Sequence, residues 1–245
     1  EVTIRRDGNV HSMAFSGGEK MADLAVTGSC GKRNTGTGIR FKPDPAYFDS
    51  ANFSIPKLSH ALRAKAVLCP GLRVTLTDEK KKEKIEWHYE DGIADYLADA
   101  TIDFPVIPET PFTAHFEGET EAVDWAIQWL PEGGEVIAES YVNLIPTTQG
   151  GTHVNGLRSG LLDAMREFCE LRNLLPRGVK LTAEDVWDRC CFVLSSKLQD
   201  PQFSGQTKER LSSREAAGFV SGVAKDAFGL WLNQETADAE RLAEL

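Results

Sequence analysis

No apolar run in the 245 residues is long enough to cross a bilayer, and the few cysteines are odd in number and irregular in spacing. The first absence argues against a membrane-spanning helix. The opening EVTIRRDGNV has the pattern of a strand and a turn, not of a signal peptide. Cys30, Cys69, Cys169, Cys190 and Cys191 include no CxxC pair, which excludes a disulfide frame and fits a reducing, cytoplasmic setting. His11, His60, His88, His115 and His153 are scattered, with no HExxH and no ligand-like pairing, so no metal-binding residues are assigned and the five are expected on surfaces or loops. Basic surplus is also missing. With 27 Lys and Arg against 37 Asp and Glu, the net charge of -10 excludes a domain that grips nucleic acid by neutralising phosphates over its whole surface. Any contact with DNA must be local or supplied by another part of an assembly.

What is present suits a folded chain. Hydrophobic residues make up 41% of the sequence, enough for one large domain or two modest ones with real cores. VTIRR and VHSMAF are strand-like, and Asp7-Gly8 between them is a hairpin turn signal. No element precedes this hairpin to cover it, so the chain is expected to be a piece of a longer protein. GIRFKP reads as a further strand after the glycine-rich GSCGKRNTGTG. SIPKLSHALRAKAVLCPG predicts a helix with Ser54 as cap and Pro70-Gly71 as stop. LRVTLTD is a strand, and the lysines of DEKKKEKIEW belong to a solvated hairpin tip with no nucleic-acid role. GIADYLADA is a short helix. The three prolines of TIDFPVIPETPF forbid regular structure there, and the domain change is placed near residue 92.

In the second part, VDWAIQWL alternates and PEGG turns it into EVIAESYVNLI, which predicts a hairpin with one buried face. A helix follows with Leu157, Leu161, Leu162, Met165, Phe168 and Cys169 as its apolar stripe, capped by Thr152 or Asn155. TAEDVWDR opens like a capping box. CCFVLSSKL is a strand on which Cys190 and Cys191 point to opposite faces. From Ser212-Ser213 a long amphipathic helix with Phe219, Val220, Val223, Phe228, Leu230 and Trp231 runs toward the C-terminus. These elements make a mixed α/β unit, one sheet with helices on a face.

The loop QDPQFSGQTKERLSS carries Lys208, framed by Pro201 and Gly205. A loop lysine is ordinarily a solvated charge. Its setting changes that expectation, because TGTG, QGGTHVNGLR and QDPQFSGQTKERLSS occur in one order that resembles the ATPase subunits of bacterial type IIA topoisomerases. KAVLCPG, TEAVDWAIQWLPEGGE and DPQFSGQTKERLSSREAAGFVSGV resemble the topoisomerase IV branch more than the gyrase branch, and the likeness extends over essentially all 245 residues.

The resemblance implies a two-domain α+β and α/β architecture. Residues 1–92 correspond to the later portion of a GHKL (Bergerat) ATPase domain, and residues 93–245 to a transducer domain. The transducer fold is ribosomal-protein-like, with a left-handed βαβ crossover against the usual hand. The cofactors implied are ATP and Mg2+, with the magnesium asparagine, the adenine-reading aspartate and the glycine-rich lid all before residue 1, so these residues alone are not expected to hydrolyse ATP. Lys208 matches the transducer lysine that touches the γ-phosphate, with Gln206 as a second donor. Thr37 matches a threonine on the floor of the adenine pocket, and Arg6 an arginine at the pocket mouth. The implied partners are ParC, which is the DNA-cleaving subunit of topoisomerase IV, DNA in the holoenzyme, and a second copy of the ATPase region on ATP binding. The gyrase counterpart of this ATPase (GyrB) and a non-catalytic dimerisation scaffold are the alternatives. Gly150-Gly151 before a helix lacks the GK[ST] of a P-loop, so it reads as a tight turn seating that helix.

Overall fold

The structure is a computed structural model that describes residues 1–176 and 178–245. It divides into two compact units, Glu1–Leu58 and Ser59–Leu245.

The first unit is an antiparallel sheet in the order β3-β2-β1-β4, built from β1 (Val2–Arg6), β2 (Asn9–Ser16), β3 (Glu19–Ser29) and β4 (Gly36–Ile39). Asp7 and Gly8 both take positive φ, 53° and 84°, the geometry a two-residue turn needs to match strand twist. The expected β1–β2 hairpin is therefore present, with Arg6 opposite Asn9. Two expectations are corrected. β3 is a strand that alternation did not reveal, because its eleven residues are all solvent-exposed and show no in-out pattern. The strand expected at GIRFKP instead starts within TGTG and stops at Ile39.

The second unit contains most of α1 (Ile55–Leu68), the hairpin β5 (Val74–Asp78) with β6 (Glu83–Trp87), and α2 (Ile93–Ala100). Its main sheet has the order β10-β9-β11-β8-β7, from β7 (Ile107–Glu117), β8 (Glu121–Trp129), β9 (Ala138–Val142), β10 (Ile145–Pro146) and β11 (Cys190–Leu198). The helices α3 (Thr152–Arg172), α4 (Ala183–Trp187), α5 (Arg214–Gln234) and α6 (Thr236–Ala243) complete it.

The expected hairpin of β8 and β9 does not form. β11 lies between them, antiparallel to β8 and parallel to β9, so β9 reaches its neighbour through a crossover containing α3 and α4. A central strand is covered on both faces. Val123, Trp125, Ile127 and Trp129 pack with α3, α5 and α6, while Ala126, Leu130, Cys191 and Val193 pack with Ala66, Val67, Tyr96 and Leu97 from α1 and α2. The sheet thus has helices on two faces where one was expected. Cys190 and Cys191 point to opposite faces as their adjacency requires.

Prolines did not prevent a strand at TIDFPVIPETPF. β7 is an edge strand, where a missing N–H costs no ladder bond. Between Ile107 and Phe112 it bulges away from β8. Buried Gln128 satisfies that bulge, donating Nε2 to the carbonyls of Pro108 (3.1 Å) and Glu109 (3.0 Å) and accepting from Thr101 Oγ1.

Aromatic residues centre the larger core. Phe228 stacks on Trp129 and Trp231 at 5.5 and 5.6 Å, and Phe112 meets Phe228 at 5.4 Å. Burial of the Phe112 and Phe228 side chains contributes about 1.5–3 kcal/mol of transfer free energy each. The last helix is not continuous, because Glu235 (φ -100°, ψ 56°) separates α5 from α6. Leu230 faces solvent at 60% exposure, and the buried stripe of α5 is instead Ala216, Val220, Ala224, Phe228 and Leu232.

Candidate functional site

Lys208 sits on a loop that is braced at every level from its base to its tip. At the base, Gln202 N donates to Ser213 Oγ and Ser212 N to Gln202 O, both at 2.8 Å. Phe203 bridges Leu211 antiparallel, and Ser204 N donates to Arg210 O at 3.0 Å. The tip is a four-residue turn, Gly205 to Lys208, closed by Lys208 N donating to Gly205 O at 3.1 Å.

Lys208 itself has φ 58°. A non-glycine residue in the left-handed region costs of order 1 kcal/mol, and surrounding bonds must hold it there. Its Nζ lies 5.8 Å from the Phe203 ring centroid, and among the described residues no carboxylate oxygen is within 4.0 Å of it. Gln206 is on the same turn, and both side chains are exposed.

The brace continues into the segment before α3. Gln149 N donates to Glu209 O (2.9 Å), Leu211 N to Gly150 O (3.1 Å) and Thr152 N to Leu211 O (3.1 Å). The segments run parallel, with Gly151 bridged to Leu211. A Cβ on Gly151 would lie 2.4 Å from the Leu211 carbonyl oxygen and 2.6 Å from its nitrogen, and Gly151 has φ 138°. Only glycine fits this close approach of two backbones. Gly151, not Thr152 or Asn155, is the N-cap of α3, and the GG pair both seats the helix and docks the lysine loop.

Below this strap runs a buried polar chain. Ser140 Oγ contacts Thr147 Oγ1 at 2.7 Å, and Thr147 Oγ1 contacts His153 Nε2 at 3.1 Å. His153 is fully buried, contrary to its expected place on the surface, because it lies in the first turn of α3 on the core side. Burial lowers its pKa to about 4. The folded state thus favours neutral imidazole, while the unfolded state takes up a proton below about pH 6.5. This contribution is complete above pH 6.5 and is lost as the pH falls toward 4, so it removes about 2 kcal/mol between pH 7 and pH 5. Denaturant unfolding of His153→Gln at the two pH values is expected to lack this part of the acid slope; an unchanged slope counts against it.

Arg6 and Thr37 belong to the first unit. Thr37 on β4 is opposite Ile4 on β1, and Arg6 is two residues beyond Ile4, so strand alternation puts Arg6 and Thr37 on one face. Both are exposed, and Arg6 Nε lies 3.5 Å from Asp7 Oδ2. The four candidate residues therefore form two pairs, one on each unit. Among the described residues no group of three or more His, Cys, Asp and Glu side chains is placed to hold a metal ion, and no helix is long and apolar enough to cross a membrane.

Sequence spacing alone did not point to the bond that Gln149 Nε2 donates to Glu209 Oε2 at 3.0 Å. The partners are 60 residues apart, and no local periodicity relates them.

Over 245 residues the chain is 66% identical to the B subunit of DNA topoisomerase 4 from Salmonella typhimurium, covering 100% of this chain and 39% of that protein. The topoisomerase IV ATP-binding domain of Francisella tularensis, solved with a small-molecule inhibitor, matches with a TM-score of 0.84 at 40% identity, over 100% of this chain and 66% of that one. The 43K ATPase domain of Thermus thermophilus gyrase B, solved with an aminocoumarin, matches with a TM-score of 0.82 at 28% identity, over 99% of this chain and 66% of that one. The chain thus spans well under half of the full-length Salmonella relative. The sequence model of the DNA gyrase B family matches residues 92–245, well over half of the chain, and the chain belongs to that family.

Proposed function

We propose that the chain is the coupling portion of a topoisomerase IV B subunit (ParE), part of an ATP-dependent isomerase that passes one DNA duplex through another. Residues 1–92 are the later part of a GHKL nucleotide-binding domain, and residues 93–245 are the transducer. The β9–α3–β11 connection is its left-handed, ribosomal-protein-like crossover.

The observation that carries this proposal is Lys208, an ammonium with no carboxylate partner among the described residues, held at the tip of a braced turn. A compact cation suits the terminal phosphate of ATP, and Gln206 on the same turn adds an amide donor. Thr37 serves the adenine pocket and Arg6 its mouth. ATP binds with Mg2+, whose ligands lie outside this sequence. Losing the γ-phosphate removes the loop's anchor, which lets the transducer reorient. ATP pairs two copies of the ATPase region around a captured DNA duplex. ParC opens the other duplex, and hydrolysis resets the clamp in the cytoplasm.

The complete ParE protein together with ParC is expected to decatenate linked DNA circles and relax supercoils with ATP. Negative supercoiling of relaxed plasmid would assign gyrase instead. Dimerisation without strand passage would leave only a scaffold.

A further inference from the structure

We infer that Gln149 is a positioning residue for ATP hydrolysis, and that it acts by keeping the carboxylate of Glu209 away from the ammonium of Lys208. The inference rests on the proposed role of Lys208 at the γ-phosphate.

Glu209 follows Lys208 directly in the sequence and is the nearest acid along the chain to that cation. A free carboxylate there has two adverse effects. It neutralises the ammonium by pairing with it, and it repels the polyanionic triphosphate. In the structure Glu209 does not pair with Lys208; it is bound instead from the facing segment of the brace. Gln149 donates its backbone N–H to the Glu209 carbonyl at 2.9 Å and its side-chain Nε2 to Glu209 Oε2 at 3.0 Å.

The paired contacts fix both the backbone and the side chain of Glu209, so its carboxylate is committed to an amide. A neutral amide suits this purpose. It accepts the geometry of a carboxylate partner without adding a second positive charge that would compete with Lys208 for phosphate. Lys208 Nζ lies instead 5.8 Å from the Phe203 ring centroid, while Glu209 Oε2 is held by Gln149.

The test is steady-state ATP hydrolysis by the complete ParE protein carrying Gln149→Ala, Gln149→Ala with Glu209→Gln, or Lys208→Ala. Gln149→Ala is expected to lower kcat about tenfold, the scale of one hydrogen bond to a charged group. Because Gln149 is exposed, its melting temperature is expected to stay at that of the parent. Glu209→Gln in the Gln149→Ala background removes the competing charge and is expected to restore most of kcat. Loss of a merely structural brace would not be restored in this way.

The inference is overturned if Gln149→Ala turns over at the parent rate, or if the double variant stays as slow as the single one. An unimpaired Lys208→Ala overturns both this inference and the γ-phosphate role. An impaired Lys208→Ala beside an unimpaired Gln149→Ala overturns this inference alone.

Discussion

Lys208→Ala in the complete protein, given the proposed γ-phosphate role, is expected to lower the rate of ATP hydrolysis by about 10² to 10³-fold, the usual cost of removing one preorganised donor from a site of developing negative charge. Most ATP affinity is expected to remain, since on the proposed reading the adenine is held at Thr37 and not by this loop. Three features support so large an effect. Among the described residues the ammonium has no carboxylate partner, its backbone N–H is tied to Gly205, and it is presented at the tip of a loop docked through the Gly150–Leu211 bond. Lys208→Arg is not expected to rescue, because a planar fork has a different reach and geometry from a point charge. Measuring kcat and KM separately decides the matter. An unchanged kcat would return Lys208 to the role of a solvated loop charge and favour a scaffold.

The largest effect on stability is expected at Gly160. In a helix interior, glycine to alanine ordinarily gains about 1 kcal/mol. Here the sign reverses. A Cβ on Gly160 would lie 2.5 Å from the Ser221 carbonyl oxygen, 2.7 Å from Ala224 Cβ and 2.9 Å from Lys225 nitrogen. Two of those atoms are backbone of α5, which yields only if the whole helix shifts. Gly156 makes the same kind of approach, 2.5 Å from the Ala217 carbonyl oxygen, so α3 and α5 touch backbone to backbone over a full turn. Overpacking here is expected to cost about 3 kcal/mol net and to lower Tm by about 10 °C. Gly222→Ala is the control, because a Cβ there meets nothing within 4 Å and the propensity gain stands alone. Calorimetry that finds Gly160→Ala as stable as Gly222→Ala would contradict the tight helix pairing.

Local rules made much of the fold legible. The Asp7-Gly8 turn, the stripe of α3 and the capping box at Thr182 and Asp185 all follow from residues close in sequence, and each is present. Where pairing is non-local, the same rules misled. PEGG has turn chemistry, but β8 and β9 are parted by a strand that arrives some fifty residues later. Prolines in β7 suggested a break because alternation cannot reveal which strand will lie at an edge. His153 was misplaced because a polar residue near a glycine turn resembles a surface residue until the helix packing is known. Lys208 and Gln206 emerged from motif resemblance, not from periodicity, and Gln149 only from the contact itself.

The position of β11 has a consequence for synthesis. As the chain leaves the ribosome, β7, β8 and β9 appear first, and the sheet lacks its central strand until residue 198 is made. Until then β8 and β9 each present an open, apolar edge to the cell, a template for pairing with other chains. The loop bearing Lys208 is the very next segment to emerge. Closure of the sheet and delivery of the lysine are thus consecutive events, and a nascent chain halted before residue 198 would be both prone to aggregate and without its cation.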